Sequence, residues 1–287
     1  MVRSNQDETQ RSARIVAASS DIGHAISQRW MSKGWNVLGT YRTWSPSADE
    51  LTKQGARLIK CDLSDSLAVS TSAQELISMC PNWDVLVLCP GALDPVGPFT
   101  DTCFDDWENS LMVNFTSQLR IIHDMLPSRR VNPDLEPCVL LFAGSGTNNA
   151  APNYSAYTVS KIALIKMCEL LDAEVTDTRF VIMGPGTVAT KIHEPTMRAG
   201  EQAGTNFQRT ADRLARNETA PMDRVVDCCD WIVDAPRSVV SGRNFSLVFD
   251  QWGTSELDDR LVQDPNMYKL RRFGNDWLVE SESNATG

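Results

Sequence analysis

The chain has 287 residues, 42% of them hydrophobic and 22% charged, the proportions of a folded globular protein rather than a disordered one. It carries 37 acidic against 27 basic residues, a formal net charge of -10. This argues against a nucleic-acid partner, which a basic surface would bind, but leaves room for a locally positive pocket holding a small anion. The longest apolar runs, such as Val85 to Cys89, are far too short to span a membrane, and the polar opening MVRSNQDETQRS has no apolar stretch of a secretion signal.

A cytoplasmic protein without a membrane partner is therefore expected. Cysteines stand at 61, 80, 89, 103, 138, 168, 228 and 229 with no Cys-x-x-Cys; they read as free thiols of a reducing compartment rather than a disulfide scaffold. His24, His123 and His193 are far apart and no His-Glu-x-x-His occurs, so no metal site is expected.

Residues 1–12 are expected to form a flexible tail and 13–287 a single domain. A short apolar strand is predicted at 14–18, then a helix from Ile22 to Lys33 with Ile22, Ala25, Ile26 and Trp30 on one stripe, stopped at Gly34. Strands follow at Trp35–Thr40, Ala56–Cys61, Asp84–Leu88, Cys138–Phe142, Arg179–Met183 and Asn244–Phe249. Helices are predicted at Leu67–Met79, Asp105–Leu126 and Tyr157–Val175. Short, continuously apolar strands alternating with helices imply an α/β fold whose mostly parallel sheet is covered on both faces. The segment 188–218, rich in Gly, Thr and charge, is placed to form a substrate lid or a peripheral helical insertion.

Between the first strand and helix lies Val16-Ala17-Ala18-Ser19-Ser20-Asp21-Ile22-Gly23. Unpaired amides at a helix start attract a pyrophosphate, Ser19 and Ser20 can donate to it, and Gly23 permits close backbone approach. The same residues also suit a plain helix cap. Strand two ends in Gly39-Thr40-Tyr41-Arg42 with no carboxylate until Asp49. Arg42 there suits a ribose phosphate, favouring NADP(H) over NAD(H), unless it is simply a solvated arginine. Asp62, followed by Leu63, either accepts from an adenine amino group or caps the next turn.

Tyr157 and Lys161, four residues apart, share a helix face. The ammonium is expected to lower the phenol's pKa, making it an acid/base for a carbonyl or alcohol oxygen, and to hold ribose hydroxyls. Ser145, in the turn Ala143-Gly144-Ser145-Gly146, can bond a substrate oxygen. In Gly184-Pro185-Gly186-Thr187-Val188-Ala189-Thr190, Pro185, Gly186 and Val188 border the place of a nicotinamide and Thr190 can bond its carboxamide. The Gly-Pro-Gly run alone would equally make a tight turn.

With Tyr157-x-x-x-Lys161 at its centre, the chain from about Arg14 to Val248 resembles the short-chain dehydrogenase/reductase family. The resemblance implies a Rossmann-type doubly wound sheet of about seven strands and a homodimer or homotetramer paired through long helices. It further implies an NAD(P)-dependent hydride transfer on a small carbonyl or alcohol substrate. By resemblance, Tyr157 is the general acid/base, Lys161 its ribose-binding assistant, Ser145 the substrate-oxygen partner, and Asn114 the asparagine that holds a relay water.

Departures from the family pattern are Ala17 and Asp21 in place of two glycines, and Leu88-Cys89-Pro90 before Gly91 where Asn-Asn-Ala is usual. Ser145 also stands twelve residues before Tyr157 instead of thirteen, which puts Gly144 in the strict place. Such changes suit the alternative of a dinucleotide-binding sensor or scaffold without turnover. Ala143-Gly144-Ser145-Gly146, Pro152-Asn153-Tyr154-Ser155-Ala156-Tyr157 and Ser241-Gly242-Arg243 resemble a bacterial subgroup associated with polysaccharide or nucleotide-sugar metabolism, implying a sugar-like substrate. His193 and Arg198 in the lid segment either meet a polar or phosphorylated substrate or are ordinary surface side chains.

Overall fold

The computed structural model describes residues 10–132 and 134–273; the first nine residues of the expected tail and the chain beyond 273 lie outside these. The strands are β1 (Ser12–Val16), β2 (Asn36–Tyr41), β3 (Arg57–Lys60), β4 (Val85–Leu88), β5 (Cys138–Phe142), β6 (Arg179–Gly184) and β7 (Arg243–Ser246). Around them lie α1 (Asp21–Ser32), α2 (Pro46–Lys53), α3 (Ser66–Met79), α4 (Phe104–Leu111), α5 (Ser117–Met125) and α6 (Ser155–Glu174). The chain continues through α7 (Glu194–Ala199), α8 (Thr205–Ala215), α9 (Met222–Asp234), α10 (Arg237–Val240) and α11 (Ser255–Gln263).

All seven strands are parallel, in the order β3-β2-β1-β4-β5-β6-β7. This is the doubly wound sheet expected, and its strand order reverses between β1 and β4. Alternate residues of each strand feed opposite cores. Ile15, Val37, Val87, Leu140 and Val181 pack with α1 and α9, while Leu38, Leu86, Leu88, Leu141 and Ile182 pack with α3, α5 and α6. Continuous apolar strands follow from that double coverage.

Boundaries moved where turn geometry overrode hydropathy. Ala17 leaves the first strand with φ +58, so β1 ends at Val16 and begins earlier, at Ser12. Gln10 and Arg11, assigned to the flexible tail together with Ser12, are held by Gly34 and Asp234. The expected helix Asp105–Leu126 is three pieces, because Met112–Thr116 between α4 and α5 winds as a π-helix, a local widening frequent at functional sites. Helices α2, α9, α10 and α11 have no counterpart among the elements read from the sequence.

The strand-start edge is held by buried arginines that hydropathy does not announce. Arg179, 1% exposed, donates to the carbonyls of Glu136, Ile232, Val233 and Ala235 at 2.6–3.3 Å. It thereby closes the end of α9, whose last carbonyls have no partner within the helix. Arg243 does the same for α11 through Leu261, Asp264 and Met267. Arg179→Met keeps the bulk but orphans four carbonyls, and should cost about 3 kcal/mol. Urea unfolding measures it; a loss below about 1 kcal/mol would show that the guanidinium does not carry this edge.

Candidate functional site

The turn after β1 is built around Ala17. Its left-handed backbone turns the chain back so that its carbonyl accepts from Ser20 N and Oγ at 3.0 and 2.7 Å. Ser20 also caps α1, accepting from Gly23 N at 3.3 Å; its hydroxyl is spent inside the turn, and the capping alternative describes it. A Cβ on Gly23 would lie 2.4 Å from the Ala17 carbonyl, so a side chain there would displace the turn. Gly39 on β2 is equally constrained, a Cβ meeting Ile15 O at 2.6 Å and Ala18 Cβ at 2.7 Å.

Among the described residues, the amides of Ser19, Asp21 and Ile22 find no protein acceptor. This leaves an anion cradle of the kind a pyrophosphate fits. Asp21 turns its carboxylate away, accepting from Lys191 N at 2.9 Å, and so ties this turn to the 188–218 segment.

Arg42 is exposed just past β2 and, among the described residues, has no hydrogen-bond or ion-pair partner. Asp62 caps its own turn, its Oδ1 accepting from Ser64 N and Oγ at 3.0 and 2.8 Å; those bonds hold its carboxyl below the ordinary value. Leu63 is buried, and its carbonyl accepts from Ser117 Oγ at 2.7 Å.

At the centre, α6 carries Tyr157 and Lys161 over the ends of β4 and β5. Lys161, 2% exposed, donates from Nζ to the carbonyls of Pro90 and Phe142, both at 3.0 Å. It pins the altered turn after β4 to the last residue of β5, with one N–H to spare. Cys89 lies beside it, its thiol pushed up by burial and hence protonated. Gly91, exposed, meets the 188–218 segment: a Cβ there would lie 3.1 Å from Ile192 Cδ1.

The expectation that the ammonium lowers the phenol's pKa is corrected. Burial pushes Tyr157 up to about 12, with no offsetting charge, because the ammonium is 5.8 Å from the ring centroid and committed to two carbonyls. Tyr157 is thus an uncharged phenol at neutral pH and a weaker acid than an ordinary tyrosine. Lys161 is in turn pushed down to about 8 by its own burial.

Asn114 sits in the π-helical segment, fully buried. Its amide brackets Ala92, accepting from the N–H and donating to the carbonyl at 2.8 Å each, and donates to Ser110 Oγ. Gln118, unnoticed in the sequence, stands one turn on, at the Asn-x-x-x-Gln spacing that signals a shared face. Its amide donates to Asn114 O at 2.9 Å and, at 3.4 Å each, to Val113 O and to the same Pro90 carbonyl that Lys161 uses. Two side chains from different helices thus hold one carbonyl.

The turn after β5 is tighter than its composition suggests. A Cβ on Gly144 would lie 2.6 Å from Tyr157 Cε1 and 2.8 Å from its hydroxyl, so Gly144, not Ser145, faces the phenol. Ser145 is exposed and, among the described residues, makes no hydrogen bond. Beyond β6, Gly186 has φ +71 and packs on Val248; Pro185 precedes it, and Val188 is buried. The Thr190 hydroxyl bonds weakly to Val188 O at 3.4 Å. A cleft of about 460 Å³ opens between Asp21 and Thr190, Lys191, His193, Glu194 and Met197. The larger cavity, about 570 Å³, lies at the opposite edge among Arg179, Arg237 and Arg243. Those arginines direct their guanidinium groups at protein acceptors, and ligands of such sheets bind where strands end. No group of residues suited to a metal ion occurs among the described residues.

A family model described as short chain dehydrogenase matches residues 11–200. A fatty acyl-CoA reductase of Acinetobacter baylyi is 27% identical over 247 residues, covering 83% of this chain and 78% of that protein. A solved short-chain dehydrogenase/reductase from Saccharomyces cerevisiae has a TM-score of 0.74 at 18% identity, over 87% of this chain and 98% of that one. An actinorhodin polyketide ketoreductase solved with NADPH has 0.72 at 19%, over 85% and 97%. The chain belongs to the short-chain dehydrogenase family. It is an oxidoreductase that exchanges hydride between a nicotinamide cofactor and a carbonyl or alcohol carbon.

Lys161 has a measurable signature. Its folded value of about 8 lies below the 10.5 of an ordinary lysine. Between those values the unfolded chain keeps a proton the folded chain has lost, so stability lost to burying the ammonium returns as pH rises through that window. Urea unfolding at about pH 7 and about pH 9.5 should show the native chain gaining on Lys161→Met at the higher pH. A gap that stays constant would contradict the buried, depressed ammonium.

Proposed function

We propose that Tyr157 is the proton donor of a carbonyl reduction favouring NADPH, with Lys161 as its cofactor-binding partner. The observation that carries this is the juxtaposition of a buried, protonated phenol and a buried ammonium at the mouth of the strand ends, beside an anion cradle on α1. The bound nicotinamide supplies the hydride.

Tyr157 gives its proton to the oxygen as charge develops there, and in the reverse direction receives it. Lys161, fixed by Pro90 and Phe142, offers its remaining N–H to ribose hydroxyls. Ser19, Asp21, Ile22 and Gly23 line the pyrophosphate. Pro185, Gly186, Val188 and Thr190 border the nicotinamide, and the turns at Asp62–Leu63 and Cys89–Gly91 flank the adenosine side. Asn114 and Gln118 hold the backbone that holds Lys161. Ser145 is the candidate hydroxyl for the substrate oxygen, one residue beyond the glycine that packs on the phenol.

Arg42, exposed where β2 ends and without a hydrogen-bond or ion-pair partner among the described residues, supports the preference for NADP(H) over NAD(H). The single-domain organisation, with 188–218 as a lid, is supported by contacts from that segment to three others: Lys191 N to Asp21, Tyr154 Oη to Thr196 Oγ1, and Arg198 to Asp94. Exposed Phe104 and Met112 near α4, with Val159 and Leu170 on α6, supply an apolar face for a homodimer or homotetramer.

Tyr157→Phe keeps the ring and removes the proton; turnover should fall by about 100-fold or more while NADPH binding, followed by fluorescence, stays within about twofold. Undiminished turnover would refute the assignment, and NADPH binding by the native chain without turnover of any carbonyl would favour the sensor reading. Arg42→Ala should weaken NADPH by about tenfold and leave NADH nearly unchanged. Equal losses for both cofactors would overturn the phosphate role.

A further inference from the structure

Around Tyr157 lies a small apolar cluster separate from both cores of the sheet. Leu93 and Val96 come from the connection after β4, Ala151 and Tyr154 from the entry to α6, and Ile192 from the 188–218 segment. Three chain segments distant in sequence thus deliver hydrocarbon to the one phenol. Several polar groups of the entry to α6 and the 188–218 segment are already paired, while the Ser145 hydroxyl, without a partner among the described residues, stays free for the substrate oxygen. The Tyr154 hydroxyl is 2.6 Å from Thr196 Oγ1, His193 Nε2 is 2.9 Å from Val188 O, and Asn206 donates to Pro152 O at 2.7 Å. Arg198 is bound to Asp94 at 2.8 Å with both side chains mostly exposed, which puts that charge at the rim. His193 and Arg198, the lid side chains considered for a polar or phosphorylated substrate, thus have protein partners.

We infer that the substrate is an aldehyde or ketone whose carbonyl carbon bears an unsubstituted hydrocarbon group, alkyl or aryl, seated against Leu93, Val96, Ala151, Tyr154 and Ile192. This rests on Tyr157 being the proton donor, since that role brings the carbonyl oxygen to its hydroxyl and the adjoining group to these side chains. A polyhydroxylated chain in the same place would turn its hydroxyls to hydrocarbon and lose their hydrogen bonds to water. Discrimination against a hydroxyl by an apolar wall is about 100-fold.

The test is steady-state reduction by the native chain of an aryl alkyl ketone, a medium-chain aldehyde, an aldose and a ketose. NADPH and NADH are both supplied and nicotinamide absorbance is followed. The apolar carbonyls should exceed the sugars in kcat/KM by about 100-fold. Leu93→Asn and Val96→Asn should narrow that gap by raising KM for the apolar substrates, with the Kd for NADPH unchanged. Sugars reduced as well as the apolar carbonyls, a gap unmoved by both variants, or no turnover of either apolar carbonyl would each overturn the inference. Native rates in Tyr157→Phe would instead remove the proton-donor reading beneath it, so the two failures are told apart.

Discussion

A buried ammonium held by two backbone carbonyls is the constraint on which this site depends. Lys161 cannot sit in the interior unless Pro90 and Phe142 turn their oxygens toward it, and those oxygens belong to the ends of neighbouring strands β4 and β5. Burial opposes the charge and lowers its pKa, so the carbonyls must be fixed rather than merely present. The surrounding structure supplies that fixity. Asn114 brackets Ala92 and Gln118 reaches Asn114 and Pro90. The π-helical winding of Met112–Thr116 carries Asn114, and Gln118 lies just beyond it in α5.

The same constraint explains how the chain tolerates departures from the family pattern. Leu88 and Cys89 stand where the family pattern has asparagines that would offer side-chain hydrogen bonds, but the contact to Lys161 is made by the backbone carbonyl of Pro90, which any residue provides. Ala17 carries a methyl at a φ of +58, a conformation glycine adopts more readily. The turn nevertheless closes because Thr40 holds it from both sides, through Oγ1 to Ala17 N and its carbonyl to Ala18 N. Gly23 and Gly39 admit no such substitution, since a Cβ on either would strike backbone.

Much of the fold was legible from period alone. Strands of four to six residues buried on both faces read as continuous apolar runs, and Tyr157 and Lys161 read as one helix face. Helices α2 and α9 were not read, although their buried residues recur at helix spacing, and the start of β7 was displaced by one residue, where Arg243 is a buried cation. Hydropathy scores an arginine as exposed; only the carbonyls at the end of α11 make it an interior residue. Gln118 escaped for a similar reason: its use lies in three carbonyls brought to it by the bend of its own helix and by the turn after β4.

By itself the sequence determined the parallel sheet, the helix face bearing the phenol and ammonium, and the turn between β1 and α1. Each of these follows from local spacing and backbone preference. Tertiary structure decided the electrostatics and the surroundings: that burial raises the Tyr157 pKa despite the lysine four residues on, that Gly144 rather than Ser145 faces the phenol, and that hydrocarbon from three segments encloses it. Desolvation and contact depend on which distant atoms replace water around a group, and spacing along a chain carries no record of that.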